Sequence, residues 1–194
     1  YIVMHQDEND EVIACHIGTR VRKNHTSKRG AFQTVGDDPA FLIVNNEIHD
    51  NMKTDFFTIK EFEPKITINE KAALVKYHPG YDPSLLKNII DSNYKAIIFE
   101  GTGLGHIGEN MYPMVKMANQ KGIFMGMTSQ CIDGKVRMTV YESGRDLLDL
   151  GIIPLENMIP EIALVKAMWV TGNTENRDEI KEIMLRKIAS EFST

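Results

Sequence analysis

Three short apolar runs, separated by stretches with helical spacing, constrain the fold of this chain more than any other feature. The runs cover residues 72–77, 96–99 and 123–127. Continuous apolar runs of this length are typical of strands that are buried on both faces, as in parallel sheets. Because strand and helix alternate along the chain, right-handed crossovers should cover both faces of one sheet. The sequence therefore predicts a three-layer α/β domain with a parallel sheet of the Rossmann or flavodoxin-like kind.

Residue types at the helix ends indicate where the helices of this part begin and end. Asp82-Pro83 is a typical N-cap and first-turn pair, and Gly122 has the position of a glycine that follows a helix. Asn176 and Glu179 have the spacing of a capping box that opens the last helix. We also expect a fourth short strand near residues 135–140, paired at an edge of the sheet.

The first part of the chain, residues 1–66, contains β-like runs and no helical periodicity of useful length. We predict an opening hairpin, a turn at Asn45-Asn46 and further short strands; the runs are residues 1–4, 12–17, 41–44 and 56–59. The expected organisation is a β-rich part over residues 1–66 and the α/β domain over residues 67–194.

The chain opens at Tyr1 in the middle of an apolar run, with no initiator methionine and no turn residue before it. Domain boundaries usually fall in polar, flexible linkers rather than inside a strand. We therefore expect the chain to be a fragment of a longer protein.

Composition excludes several classes of function. The formal net charge of −5 argues against wholesale coating of nucleic acid. The apolar runs are too short to span a bilayer, and no secretory signal opens the chain. We therefore expect no membrane partner and a cytoplasmic protein, whose Cys15 and Cys131 stay reduced. The histidines lack metal-ligand spacing, so the sequence predicts no metal site.

Three segments follow the predicted strands and should lie at the carboxyl edge of the sheet, where ligands approach open α/β sheets. They are residues 77–81, 100–108 and 128–134. The second segment contains Gly101-Thr102-Gly103-Leu104-Gly105-His106, which is neither a dinucleotide fingerprint nor a P-loop. Two interpretations stay open for this glycine-rich segment: a ligand-binding loop, or a tight turn between strand and helix.

Cys131 and Ser129 are weak candidates for a nucleophile. No histidine lies near Cys131 in the sequence, and no GxSxG elbow surrounds Ser129. We expect Cys131 to be a buried, unreactive thiol.

Lys23 belongs to the most basic segment of the chain, residues 18–30. This segment is either a solvated loop or a patch that attracts phosphate. A third interpretation is that strand alternation points Lys23 into a cleft, together with Thr19 and Val21. A lysine beside a hydroxyl and a carboxylate can accept a proton from the hydroxyl or stabilise its alkoxide.

Five separated segments occur in order along the chain: Lys76-Tyr77-His78-Pro79-Gly80-Tyr81-Asp82-Pro83, Ile98-Phe99-Glu100-Gly101-Thr102-Gly103-Leu104-Gly105-His106, Met127-Thr128-Ser129-Gln130-Cys131, Ser143-Gly144-Arg145-Asp146-Leu147-Leu148 and Met158-Ile159-Pro160-Glu161-Ile162-Ala163. These segments resemble the C-terminal domain of type I asparaginases. Within that family they are most similar to the D subunits of archaeal glutamyl-tRNA(Gln) amidotransferases. The resemblance extends into the end of the family's N-terminal domain through Gly18-Thr19-Arg20-Val21-Arg22-Lys23-Asn24-His25-Thr26-Ser27.

The resemblance implies an amidohydrolase that cleaves the side-chain amide of glutamine. The family uses a threonine nucleophile and a Thr-Asp-Lys group, and the lysine of that group falls on Lys23. Residues of a neighbouring subunit complete each active site, which implies substrate contacts by Gly105 and His106; secreted asparaginases often have Asn at the second position. Residues 1–66 would be the remnant of the catalytic domain, without the nucleophile, so we expect this chain alone to be inactive.

The resemblance also implies partners. Ammonia would pass to an E subunit, which would use ATP and Mg²⁺ to amidate the glutamate carried by tRNA(Gln). We therefore expect no cofactor in this chain, glutamine as the small-molecule substrate, glutamyl-tRNA(Gln) bound through the complex, and a homodimer.

Two other functions stay open on the sequence. The first is a cytoplasmic type I L-asparaginase that needs no tRNA partner. The second is a non-catalytic module that binds a small ligand or another protein.

Overall fold

The computed structural model describes residues 1–51 and 64–193, and these form two compact units. The first unit comprises Tyr1–Pro64 with Ala189–Thr194, and the second comprises Lys65–Ile188. The strand predicted near residues 56–59 lies outside the described residues.

The first unit contains two antiparallel sheets. Strands β1 (Ile2–His5), β2 (Val12–His16), β5 (Phe41–Val44) and β6 (Glu47–Asp50) form one sheet in the order β1-β2-β5-β6, and β3 (Val21–Lys23) pairs with β4 (Phe32–Thr34). A short 3₁₀ turn, Arg29–Ala31, precedes β4. The predicted opening hairpin is confirmed, because β1 and β2 are antiparallel with Ile2 opposite His16.

The Asn45-Asn46 turn sets the register of the β5–β6 hairpin. Both residues have left-handed backbones, with φ of 51° and 64°, and Val44 lies opposite Glu47 across the turn. Two-residue hairpins favour such mirror-image turns because their twist matches that of the strands, and Asn tolerates positive φ better than most residues. The predicted turn is therefore confirmed.

The second unit is the predicted α/β domain. Its sheet has four parallel strands in the order β10-β9-β8-β7: β7 (Ala72–Lys76), β8 (Ala96–Gly101), β9 (Phe124–Ser129) and β10 (Ile153–Pro154). Its helices are α1 (Pro83–Asp91), α2 (Tyr112–Gln120), α3 (Glu142–Asp149), α4 (Pro160–Asn173) and α5 (Arg177–Leu185), with a 3₁₀ turn at Glu109–Met111 before α2. The three-layer prediction is confirmed.

The predicted N-caps and the glycine after α2 are present, but the capping box of α5 is only half formed, because Asn176 N donates to Thr174 Oγ1 instead of to Glu179. The Asp82 carboxylate accepts a hydrogen bond from Ser84 N at the start of α1. Asn176 Oδ1 accepts from the amides of Asp178 and Glu179 at the start of α5. Gly122 follows α2 with φ of +73°, a conformation in which glycine carries no steric cost.

The core of this unit lies on the central strand. Every residue of β8 is buried, as expected for a strand covered on both faces. Ile97 and Phe99 belong to a cluster with buried side chains of α1, α2 and α3, whereas the buried Ala163, Ala167 and Val170 of α4 lie outside that cluster.

The strand predicted at residues 135–140 is wrong; the short edge strand is β10. Val136 and Met138 are buried and separated by the exposed Arg137, which gives the alternation of a strand. Their backbone instead bonds to loops, since Val136 N donates to Glu156 O and Arg137 N donates to Leu104 O. The alternation of buried and exposed residues therefore comes from Val136 and Met138 packing beneath loops, and the segment forms no hydrogen-bonded ladder with a strand.

Neither a membrane span nor a metal site is found in the described ranges. No helix there is long and apolar enough to cross a bilayer. No group of three His, Cys, Asp or Glu side chains within these residues could hold a metal ion.

Candidate functional site

Gln130 connects the three loops at the carboxyl edge of the parallel sheet. Its Nε2 donates to Tyr77 O at 2.5 Å and to Glu100 O at 2.9 Å. Tyr77 follows β7, Glu100 lies at the end of β8, and Gln130 itself follows β9. One side-chain amide thus fixes the relative positions of the segments that the sequence places at this edge. Its role was missed, although its position directly after a buried strand was a usable signal.

The glycine-rich segment after β8 forms a closed turn. Thr102 N donates to His106 O at 2.9 Å, and His106 N donates to Thr102 O at 3.0 Å. Gly105 has φ of +100°, and a Cβ there would lie 2.7 Å from Val136 Cγ1. The glycine at this position is therefore required by backbone conformation and by packing, which agrees with the tight-turn interpretation.

His106 is held in this turn and is half-buried. The Ser143 Oγ atom, in the first turn of α3, lies 3.2 Å from His106 Nδ1. The Tyr141 ring packs against the imidazole with centroids 5.6 Å apart. His106 Nε2 is buried and has no hydrogen-bond partner in the part of the chain that the structure describes.

Glu100 is a buried carboxylate at the same edge. It is 9% exposed, and its Oε1 accepts from the exposed Lys76 Nζ at 2.9 Å. The ion pair connects the end of β7 to the end of β8 and places the Glu100 carboxylate among the loops of this edge. Sequence reasoning did not identify this pair.

The prediction that Cys131 is buried is wrong, because Cys131 is exposed. The buried part of β9 ends at Thr128, whose hydroxyl donates to Phe99 O at 2.8 Å. The Ser129 hydroxyl donates to Gly103 O at 2.6 Å and accepts from Cys131 N at 3.0 Å. Ser129 therefore has a structural role in the turn, and Cys131 lies just beyond it.

Lys23 lies in the other unit, as the last residue of β3. It is exposed, and its Nζ lies 5.7 Å from the centre of the Phe32 ring, its cross-strand neighbour. No carboxylate forms an ion pair with it within the described residues. The described residues thus leave the Lys23 amine accessible to other groups, and its direction into a cleft stays a prediction.

The basic segment around Lys23 is not uniformly solvated. Arg20 is 2% exposed, and its Nη2 donates to Val35 O at 2.7 Å. Burial lowers the pKa of the Arg20 guanidinium, and the charge of Asp37 partly opposes this shift. His16 is also buried, with Nδ1 2.9 Å from Thr34 Oγ1, and burial lowers the pKa of its imidazole. A single sequence could not separate these two buried basic side chains from the exposed ones.

A family model described as the glutaminase/asparaginase C-terminal domain matches residues 71–184. The match covers more than half of the chain and includes the whole carboxyl edge described above.

Curated relatives and solved structures extend the similarity to nearly the whole chain. The D subunit of the glutamyl-tRNA(Gln) amidotransferase of Pyrococcus abyssi is 41% identical over 194 residues, which is 99% of this chain and 44% of that protein. The corresponding D subunit of Sulfolobus acidocaldarius is 41% identical over 192 residues, 98% of this chain and 43% of that protein. The chain thus spans less than half the length of these relatives.

The thermostable L-asparaginase from Thermococcus kodakarensis has a similar structure, with a TM-score of 0.84 and 30% identity over 95% of this chain and 56% of that one. L-asparaginase I from Vibrio cholerae superposes with a TM-score of 0.78 over 96% of this chain and 56% of that one. Its 22% identity makes that likeness one of fold alone.

Proposed function

The chain belongs to the glutaminase/asparaginase family, and from this premise we propose that it forms part of a glutamine-hydrolysing D subunit of a glutamyl-tRNA(Gln) amidotransferase. The observation that carries the proposal is the 41% identity to such a protein over 99% of this chain. Under this proposal residues 1–66 are the end of the catalytic domain, and residues 67–194 are the C-terminal α/β domain.

In the proposed mechanism Lys23 moves protons for a threonine nucleophile that, by the family resemblance, comes from a part of the protein before Tyr1. The threonine hydroxyl loses its proton to the Thr-Asp-Lys group as its oxygen bonds to the amide carbon of glutamine. The C–N bond then breaks, the nitrogen takes up a proton and ammonia leaves, and water cleaves the resulting acyl ester to give glutamate. Lys23 is exposed and has no ion-pair partner in the described ranges, so its amine is free to join the Thr-Asp pair and, in its neutral form, to take the hydroxyl proton.

Gly105 and His106 are proposed to contact the substrate. They lie in the closed turn at the carboxyl edge, the part of an open α/β sheet where ligands bind. By the family resemblance, this contact would be made to the active site of a neighbouring copy, which implies a homodimer. The unpartnered His106 Nε2 supports the assignment, since a buried polar atom normally has a partner.

The proposed partner is the E subunit, to which the ammonia would pass. That partner would bind ATP and Mg²⁺ and the glutamyl-tRNA(Gln), and the reaction would take place in the cytoplasm. No cofactor is proposed for this chain.

Substitution of Lys23 by alanine tests the catalytic assignment. In the full-length gene product, we expect Lys23→Ala to lower kcat for ammonia release from glutamine by at least about 100-fold, as is typical for loss of a general acid–base group. The 194 residues alone should release no ammonia above the Lys23→Ala background.

The matched control for this substitution is Lys28→Ala, which removes another exposed lysine of the same segment. Lys28→Ala should leave kcat unchanged. Equal activity of the Lys23→Ala and wild-type proteins would contradict the mechanism.

A second candidate is an L-asparaginase, favoured by the likeness to the Thermococcus kodakarensis enzyme at 30% identity. The ratio of kcat/KM for asparagine and glutamine separates the two functions, since it measures differential stabilisation of the two transition states. A preference for glutamine supports the amidotransferase function, and a preference for asparagine supports the second candidate.

A further inference from the structure

The imidazole of His106 has two nitrogens in different situations. Nδ1 lies 3.2 Å from the Ser143 hydroxyl oxygen, whereas Nε2 is buried and has no partner among residues 1–51 and 64–193. Leaving a buried donor or acceptor unpaired costs free energy, so each such atom in a folded protein calls for an explanation. The described residues thus supply a hydrogen-bond partner for Nδ1 and none for Nε2.

The ring is held from several directions. Its backbone is closed onto Thr102 by two hydrogen bonds, and the Tyr141 ring lies against one side. Ser143 is itself fixed from α2, because the Tyr112 hydroxyl donates to Ser143 O at 3.2 Å. The imidazole therefore has little freedom to turn Nε2 towards another partner within the turn.

The Ser143 hydroxyl favours one of the two neutral forms of the ring. A hydroxyl has one proton to donate, and the imidazole Nδ1 is the partner that the structure gives it. If the hydroxyl donates to Nδ1, its proton is used and the neutral ring carries its own proton on Nε2. If Nδ1 donates instead, the hydroxyl proton loses this acceptor and Nε2 becomes a buried, unpaired acceptor. The arrangement in which the hydroxyl donates to Nδ1 therefore leaves only Nε2 unpaired, whereas the other leaves both Nε2 and the hydroxyl proton unpaired.

We propose that Ser143 is a positioning residue that holds His106 as the Nε2–H form, and that this N–H donates to an oxygen of the bound glutamine. The inference rests on the proposed function, because it takes glutamine as the ligand. The neighbouring Tyr141 ring, with its centroid 5.6 Å from that of the imidazole, is 58% exposed and therefore lies at the surface from which a ligand would approach.

Nitrogen-15 NMR of the imidazoles in this 22.0 kDa chain tests the first half of the proposal without any need for activity. Two variants are compared with the wild type: Ser143→Ala, which removes the hydroxyl, and Ser143→Thr, which keeps it. The expected result is the Nε2–H form in the wild type and in Ser143→Thr, and loss of that preference in Ser143→Ala. An Nδ1–H form in the wild type, or an unchanged ring in a folded Ser143→Ala protein, overturns the proposal.

Kinetics of the full-length gene product test the second half. Ser143→Ala should raise KM for glutamine up to about tenfold, the loss expected for one hydrogen bond, with kcat within about twofold. Ser143→Thr keeps the hydroxyl and should have the KM of the wild type. If the serine served only packing, the hydroxyl would not decide KM. The control is Ser92→Ala, an exposed serine that follows α1.

Different results contradict the proposed function and the proposed role of Ser143 and His106. A wild-type protein that hydrolyses no glutamine overturns the proposed function, while the NMR experiment still reports on Ser143 and His106. An active wild-type protein in which Ser143→Ala changes the ring but leaves KM unchanged overturns the contact between His106 and glutamine.

Discussion

His16 links the stability of the first unit to pH through a single buried side chain. Burial lowers the pKa of its imidazole below the ordinary value of 6.5. Below pH 6.5 the imidazole is therefore protonated more readily in the unfolded chain than in the folded chain. The free energy of unfolding that depends on neutral His16 is lost as the pH falls from 6.5 through the lower folded pKa. Above pH 6.5 the contribution is fully present.

We expect His16→Gln to reduce this acid sensitivity, because glutamine does not titrate and can still bond to Thr34. The free energy of unfolding, measured with urea at several pH values on both sides of 6.5, should fall less steeply below 6.5 in the variant. His49→Gln, which changes an exposed histidine on β6, is the control and should behave as the wild type. Parallel pH profiles for His16→Gln and the wild type would show that His16 is not the titrating group.

At the scale of the elements, short polar side chains decide where helices begin. The Asn176 side chain accepts from the amides of Asp178 and Glu179, which would otherwise lack partners in the first turn of α5. Asn176→Ala should lower the free energy of unfolding by about 1 kcal/mol, the usual cost of losing such a cap.

Chemical unfolding with circular dichroism detection measures the effect of this cap, and Asn176→Ser serves as the matched control because serine is also a good cap residue. The serine variant should recover most of the loss. An alanine variant as stable as the wild type would mean that tertiary packing alone holds the start of α5.

The elements that could be read from the sequence are those whose signals are local. The β8 run, the Asp82 cap and the Asn45-Asn46 turn each depend on neighbouring residues, and the structure contains all three. Two failures have tertiary causes. Residues 135–140 alternate because buried side chains pack under a loop, and Cys131 is exposed because β9 leaves the core just before it.

The candidate site could be predicted only in part from the sequence, because its contacts join residues that are far apart along the chain. His106 and Gly105 were found through a family resemblance, and they remain predictions as substrate contacts. The pairing of His106 with Ser143 joins residues 37 positions apart, and that of Gln130 with Tyr77 joins residues 53 positions apart. No local pattern marks such contacts, because they depend on how helices and loops pack at the carboxyl edge of the sheet.

At the scale of the whole molecule, the chain contains an antiparallel β unit with Lys23 and a parallel α/β unit with His106. The proposal assigns catalysis to the first and substrate contact to the second. With a net charge of −5 the chain has no general attraction for RNA, which agrees with the proposal that the E subunit holds the tRNA.

The measurement that tests this account most directly is conversion of glutamyl-tRNA(Gln) to glutaminyl-tRNA(Gln) by the full-length gene product together with the proposed E subunit, ATP and Mg²⁺. The account predicts that glutamine supports the conversion, and that Lys23→Ala abolishes it with glutamine but not with added ammonia. Ammonia bypasses the hydrolysis of glutamine, so this pair of results locates the defect in that step. Failure of glutamine to support conversion when ammonia does, in a folded wild-type complex, would contradict the account.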